Sequence, residues 1–502
     1  MPITSLDSLQ VPPVGPKDCA IAFIGEAPGE QEELVAEPFI GTSGTVLNKK
    51  LHKTGIRRDL SYIDNVVPFR PITFYKHHEM LGFSGIRPPK AENDFTIFWK
   101  GKSPTQALIQ YKNELLQRLM SVNCKVIVAL GSSPLWALTG KSGVSKWRGS
   151  ILPCTLPDGR IVKVIPTYHP AAVTREHKLG AIVECDLMKA KEQSAFSEIV
   201  LPQRELIIAP TFSDIEHYLF HEEWPHCSFD IETSPANITC IALANYPNRC
   251  MSIPTTKYHW GSITRLHEVL AMVEKRLKGT EPKVGQNISY DLQYLFRIFA
   301  IYPSHPWHDT MIMQHSCYPD LSAEQKDEAS TKKKIALKTK SLAFLTSIYT
   351  NEPYYKDDLK VWMSGQSNDE GLWTYNAKDA AVTLECYFEL LKEMEDLGVR
   401  HTYDFMMDLL NPLLFMMLYG IKVNTENQSK HITEMKKKLH DNEAILKAKY
   451  GDINPRSPKQ ILALIEKLGL KCPTKGGKPT TSKNALNKLA AKSPEFKSMP
   501  NV

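Results

Sequence analysis

Asp230 and Glu232 close a short apolar run, CSFDIET, with one residue between them. On a β-strand, residues i and i+2 point to the same face, so this spacing sets two carboxylates side by side. Such a pair repels itself and loses hydration, and a divalent cation is the usual partner that relieves both. Farther along, VGQNISYDLQYL and WTYNAKDAAVTL each place a polar pair at i and i+4 on one predicted helical face, Asn287 with Asp291 and Tyr375 with Asp379. Asp214–Glu216 and Asp441–Glu443 share the D-x-E pattern but lie in helical contexts, where i and i+2 diverge, and read as solvated helix charge. For Asp230 and Glu232 alone, a strand that turns polar at its edge is the plain alternative.

A second group lies nearer the N-terminus. Glu26 sits in GEAPGE directly after an apolar strand, where glycine and proline leave the backbone open to a ligand. Phe39 lies in the Gly-bounded loop AEPFIGTSG, Asn65 in YIDNVVPFRP, and His169 precedes Pro170 after the strand IVKVIPTY. Singly these are a carboxylate, a packed aromatic, a turn asparagine and a core histidine. Together they fall at or near strand ends, where open α/β sheets collect their ligand sites.

The elements that must position these residues alternate between strand and helix. Residues 19–25, 62–68, 125–131 and 161–167 read as buried strands, with helical patterns at 105–121 and 133–139 between them, as in a parallel three-layer α/β/α domain over 16–195. A Pro-containing seam at 200–210 leads to a second domain, 205–400. It opens on a helix that Ser213 is expected to cap with Glu216 as reciprocal partner. Strands at 227–232, 238–245 and 249–254 then form an antiparallel meander, and helices are expected to dominate from 263 to 398. The lysine-rich stretch 323–340 reads as an exposed excursion, and 72–101 as an insertion. A third, helical domain occupies 404–502.

At 502 residues the chain is long enough for two to four domains of ~150 residues, and its 42% hydrophobic and 23% charged content is that of a globular protein rather than a disordered one. The most apolar stretch, 409–421, contains Asn411 and Pro412 and is 13 residues long. A bilayer span needs ~20, so no membrane role is expected. Ten cysteines are scattered with no two closer than Cys240 and Cys250, which excludes a C-x-x-C site and suits a reducing cytoplasm. Net charge is +6, yet 421–502 carries 17 basic against 7 acidic residues, a local +10, which points to a polyanionic partner.

The ordered triplet D-x-E on a strand, N-x-x-x-D and Y-x-x-x-D on helices resembles the three motifs of the 3′–5′ exonuclease (DnaQ-like, RNase H-like) domain that proofreads for family A DNA polymerases. The segment His308-Asp-Thr-Met311 resembles that family's D-T-M, and SLAFLTSIYTNEPYYKDD looks like its phage branch. The resemblance spans about 206–397. It implies a mixed sheet and two Mg²⁺ (or Mn²⁺) ions, with Asp230, Glu232 and Asp379 holding one, and Asp230 and Asp291 helping to place the other. It also implies that Tyr375 orients the attacking water with Glu232 assisting, and that a single-stranded DNA 3′ end is the substrate.

GEAPG-E, PF-x-G, Y-I-x-N-V-V, ALG, RG and HP, in that order over about 19–175, resemble the uracil-DNA glycosylase superfamily, family 4 in particular. The resemblance implies that Glu26 orients or activates water, Phe39 stacks on the flipped base, Asn65 reads the uracil edge and His169 stabilises the departing uracil anion. The family's four iron–sulfur cysteines have no counterpart, so no such cluster is expected, and Ala171 stands where a serine is common. An active glycosylase and a uracil-sensing or structural DNA-binding module both fit.

The run 412–424 resembles the start of the family A polymerase domain, and NPRSPKQILALIEKLGLK with PTTSKNAL looks like the beginning of its lysine-rich thumb. No palm-like aspartates follow, so this chain is not expected to extend a primer. The whole order resembles the front portion of a phage-type family A DNA polymerase: a fragment, an interrupted gene or one half of a split enzyme. DNA, including a primer–template duplex, and a separate palm and fingers chain are the implied partners, with the host cytoplasm as location. A non-catalytic DNA-binding subunit, and a repair enzyme joining uracil excision to 3′ end trimming, are the competing readings.

Overall fold

A computed structural model describes residues 10–71, 99–100, 103–104, 106–234, 237–319, 339–366, 368–475 and 478–492. Most of the 72–101 insertion and of the 323–340 excursion lies outside these residues. The chain divides into one compact unit comprising residues 1–323 with 337–415, and a second comprising 324–336 with 416–502.

The first unit contains two sheets. In the N-terminal one, β1 (Ile21–Gly25), β2 (Tyr62–Asn65), β3 (Val126–Leu130), β4 (Leu152–Thr155) and β5 (Ile161–Thr167) run in the order β2-β1-β3-β5-β4. Alternation along the strands explains the layers. Ala22 and Ile24 of β1, with Ile127 and Ala129 of β3, enter one core. Ile21 and Phe23, with Val126, Val128 and Leu130, enter the other. Both faces are therefore apolar, and helices must cover both. These are α1 (Glu30–Val35), α2 (Thr42–Thr54), α3 (Gln106–Met120), α4 (Ser132–Thr139), α5 (Val144–Trp147), α6 (Pro170–Arg175) and α7 (Leu179–Gln193). The sheet is not wholly parallel as expected: β4 pairs antiparallel with β5, because a tight Asp158–Gly159 turn folds one strand directly back on the other.

The second sheet has six strands, β6 (Glu205–Ile208), β7 (Cys227–Thr233), β8 (Ile238–Tyr246), β9 (Arg249–Pro254), β10 (Lys283–Gly285) and β11 (Trp307–Asp309), ordered β11-β10-β7-β8-β9-β6. The meander β7-β8-β9 is antiparallel, as its turn residues predict. Two expectations gain detail and a third needs correction. The seam at 200–210 is not merely a linker, since β6 within it pairs parallel with β9. The stretch after 263 is not purely helical, since β10 and β11 extend the sheet by three residues each, too short for their alternation to register. The helix after the seam, α8 (Phe212–His221), is capped by Thr211 rather than Ser213. Thr211 Oγ1 accepts from the Asp214 amide at 3.2 Å and the Asp214 carboxylate accepts the Thr211 amide at 2.8 Å, so the reciprocal box lies two residues earlier.

The remaining helices of the unit are α9 (Lys257–Trp260), α10 (Ile263–Leu277), α11 (Ile288–Phe299), α12 (Thr310–Cys317), α13 (Leu342–Tyr349), α14 (Asp358–Met363) and α15 (Asp369–Leu397), with α16 (Arg400–Tyr419) running past the unit's last residue, Phe415. The 29-residue α15 lies on the sheet through small residues, Ala377, Ala380 and Ala381, all fully buried, and Ser228 Oγ of β7 donates to the Ala380 carbonyl at 2.8 Å. That close approach brings the helix's polar residues onto the strand's carboxylates. The second unit is mainly helical, with α17 (Thr425–Tyr450), α18 (Pro458–Lys467) and α19 (Lys483–Lys492). Among the described residues no helix is long and apolar enough to cross a membrane.

Candidate active sites

On β7, Phe229 and Ile231 face the core while Asp230 and Glu232 face the α15 side, the alternation that the i, i+2 spacing requires. Opposite them α15 presents Tyr375 and Asp379 one turn apart. A carboxylate oxygen from each of Asp230, Glu232 and Asp379 lies within 4.8 Å of the others. Three such groups cannot all keep their charge in a half-buried site without a cation. Burial and the neighbouring Asp379 charge push the Asp230 carboxyl up to about 8. Burial, with Asp230 and Asp379 behind it, raises Glu232 as well. The donor set, all hard oxygen, is the chemistry that Mg²⁺ or Mn²⁺ takes.

Asp291 is not one of those three, yet it is close. It is buried on α11, its Oδ1 accepts the Ile231 amide at 3.1 Å, and burial with the Asp230 charge holds its carboxyl well above the usual range. Asn287 does not share a helical face with Asp291 as expected. It sits at the left-handed N-cap of α11, with φ of 58°, and makes no side-chain cap. Asp309 supplies the cap instead: Oδ1 accepts the Asn287 and Met311 amides at 2.9 and 2.8 Å, and Oδ2 accepts Ile288 at 3.0 Å. One carboxylate thus anchors the starts of α11 and α12 and fixes where Asp291 stands. Burial raises its own pKa to about 6.

Three residues of this site escape sequence reasoning. Asn376 Nδ2 donates to Asp230 Oδ2 at 2.8 Å, and its Oδ1 accepts from Ser252 Oγ at 2.9 Å. Tyr355 OH donates to Asp379 Oδ1 at 2.6 Å. Lys356 pairs with Asp379 Oδ2 and donates to Tyr375 OH at 3.0 Å. Asn376 directly follows Tyr375 in the motif, which is a usable signal. Tyr355 and Lys356 lie outside any helix or strand, in the run SLAFLTSIYTNEPYYKDD whose resemblance marked the segment without giving either residue a role.

The four N-terminal residues also converge. Phe39, buried and at a left-handed φ of 56°, places its ring 5.8 Å from that of His169. Gly25 ends β1 between Phe39 and Asn65, and a Cβ there would lie 2.4 Å from both Phe39 Cζ and Asn65 Oδ1. No side chain fits, so the glycine is what lets the aromatic and the amide close in. Asp64 Oδ1 accepts the Asn65 amide at 2.7 Å and Arg118 donates to the Asn65 carbonyl at 2.8 Å. The Asn65 Oδ1 atom, buried at the end of β2, finds no hydrogen-bond partner among the described residues. A buried acceptor left open in this way asks for a ligand donor. His169 caps α6, its Nδ1 accepting the Ala171 amide at 3.1 Å. Burial and then Arg175 bring its pKa down to about 4, so the ring is neutral and carries its proton on Nε2. Glu26 is raised by burial and takes the Ser133 hydroxyl at 2.9 Å, a partner the sequence does not announce.

Comparison with known proteins matches both regions. Residues 12–197 match the family model of the uracil DNA glycosylase superfamily, and 216–395 match that of a 3′–5′ exonuclease. The type-4 uracil-DNA glycosylase of Thermotoga maritima is 35% identical over 181 residues, covering 35% of this chain and 79% of that protein. Its counterpart in Archaeoglobus fulgidus is 30% identical over 188 residues, covering 36% and 80%. Among solved structures, Escherichia coli RNase D, an exoribonuclease involved in structured RNA processing, aligns at 14% identity over 59% of this chain and 76% of its own, with a TM-score of 0.32. Over residues 12–197 the chain belongs to the uracil-DNA glycosylase superfamily, and a 3′–5′ exonuclease domain follows on the same polypeptide.

Proposed function

We propose that the chain trims DNA from the 3′ end by divalent-metal-dependent hydrolysis, and that its N-terminal pocket receives a uracil taken out of the base stack. The observation that carries the first part is the approach of Asp230, Glu232 and Asp379 oxygens to within 4.8 Å, from a strand and a helix far apart in sequence. Asp230, Glu232 and Asp379 would hold one ion, and Asp230 with Asp291 would help place a second. When bound, such ions activate water and stabilise the leaving 3′ oxygen. Tyr375 orients the attacking water through its hydroxyl, and Glu232 assists in accepting the proton. Asn376 keeps Asp230 aimed at the site. Asp230→Ala should abolish Mg²⁺- or Mn²⁺-dependent release of nucleoside monophosphates from a 3′ end in purified protein. Unchanged release would refute the assignment.

The glycosylase part rests on the open Oδ1 of Asn65. A uracil ring N–H satisfies that acceptor while Phe39 covers the base. As the N-glycosidic bond breaks, its electron pair leaves with uracil, and the Nε2–H of His169 stabilises the anion. Water, placed by Glu26, adds to the sugar carbon and gives up its proton to the Glu26 carboxylate. Taking the nucleotide out of the stack costs roughly a few kcal/mol, least in a single strand. Incubating the chain with uracil-containing single strands and then cleaving abasic sites tests this directly, and an intact strand would leave only a sensing or structural role.

The cellular setting is proposed as replication, with end trimming as proofreading for a family A polymerase of phage type. The motif resemblance at 412–424 and the basic helices after it support that setting. A repair enzyme coupling base removal to trimming is the competing reading, favoured by the buried join between the two domains. A proofreader should digest a mispaired primer end faster than a paired one, and equal rates would favour repair.

A further inference from the structure

One cation reaches into the carboxylate cluster. The Lys356 ammonium pairs with Asp379 Oδ2, donates to Tyr375 OH at 3.0 Å and lies 4.7 Å from the centre of the Tyr375 ring. The other Asp379 oxygen already accepts from Tyr355 OH at 2.6 Å. Both oxygens of a carboxylate needed for metal are therefore engaged by this short segment, one of them by a positive charge.

The segment is held from behind by the glycosylase-like domain. The Tyr354 amide donates to Ser150 Oγ at 3.2 Å, and the Tyr354 ring meets Trp147 edge-on at 5.4 Å. Asp357 pairs with Lys146 at 2.9 Å, and Lys189 Nζ donates to the Thr350 carbonyl at 2.7 Å. Lys356 thus stands between two fixed neighbours, Tyr354 and Asp357, and its side chain is only 16% exposed.

An ammonium on one lone pair of Asp379 and a divalent ion on another would stand a few ångströms apart and repel each other. We propose that Lys356 is a positioning residue of the nuclease site, a tethered cation that holds Asp379 and Tyr375 in register before metal arrives and competes with the ion for Asp379. It rests on the nuclease reading above. The lysine sets how much divalent ion the site needs, and the glycosylase-like domain sets where the lysine stands.

The test is Mn²⁺ binding to the full chain without DNA, followed by electron paramagnetic resonance of the free ion, together with thermal unfolding in chelator. Removing a competitor and removing a structural support give opposite signs. Lys356→Met should lower the half-saturating Mn²⁺ concentration several-fold, while unfolding of the metal-free protein moves to lower temperature because the carboxylates lose their counter-charge. Lys356→Gln, which keeps a hydrogen-bond donor for Tyr375, should show the same tighter binding. Unchanged or weaker Mn²⁺ binding in a folded variant, with wild type binding normally, overturns the proposal. If wild type and Asp230→Ala bind Mn²⁺ alike, it is the nuclease reading itself that fails.

Discussion

Asp230, Glu232 and Asp291 each carry a pKa raised above the ordinary carboxylate range, and burial is the largest cause in every case. A group that holds its proton more tightly in the folded chain contributes stability below its unfolded pKa. That stability is lost as pH rises through the folded value, about 8 for Asp230. Metal-free protein should therefore unfold more readily as pH climbs through that window. A divalent ion competes with those protons and replaces them as the counter-charge, so its stabilising effect grows with pH. Millimolar Mg²⁺ should raise the unfolding temperature more at about pH 8.5 than at about pH 6. An equal shift at both, followed by circular dichroism, would mean that the ion binds elsewhere. The period of two made it legible that Asp230 and Glu232 share a face, whereas Asp291 and Asp379 joined them only through the resemblance of the three ordered motifs. Lys356 and Tyr355 were not legible, since their place depends on a segment pinned by residues about two hundred positions away.

At the scale of elements, caps decide where the site residues stand. Asp309 satisfies three amides at the starts of α11 and α12. Asp309→Ala leaves them buried without partners, at about 1–3 kcal/mol for an unsatisfied group, and frees the helix that carries Asp291. A lowered unfolding temperature together with a loss of nuclease activity is expected, whereas a change in neither would mean that Asp309 does not fix where Asp291 stands. For α8 the comparison is internal. Thr211→Ala should cost about 1 kcal/mol and Ser213→Ala close to nothing, read from denaturant midpoints, because only Thr211 accepts the amide of Asp214. Sequence pattern finds such helices readily and misplaces their ends, because Thr211 and Ser213 each have an acidic residue three positions on. The left-handed Asn287 was hidden for a related reason: the carboxylate that holds its amide comes from β11, which is too short to announce itself.

At the scale of the whole first unit, the join between its two domains is a buried one. Arg148 pairs with Asp186 inside the glycosylase-like domain and donates to Ser347 Oγ of α13 at 2.7 Å. Lys189 donates to the carbonyls of Gly149 at 3.1 Å and of Ser347 at 2.7 Å. Gly149, at φ of +72°, approaches so closely that a Cβ would lie 2.6 Å from the Ser347 carbonyl oxygen. Charges buried in this way are costly unless every partner stays in place, and removing one typically costs about 3–5 kcal/mol. The two domains should therefore unfold together. Hydrogen exchange of the wild-type protein should show β3 and β8 losing protection at the same denaturant concentration. Gly149→Val, which has neither the backbone freedom nor the space, should separate the two events and bring the weaker domain down first. If β3 and β8 already open separately in wild type, the join contributes no cooperativity, and the glycosylase-like domain has no hold on the segment that carries Lys356.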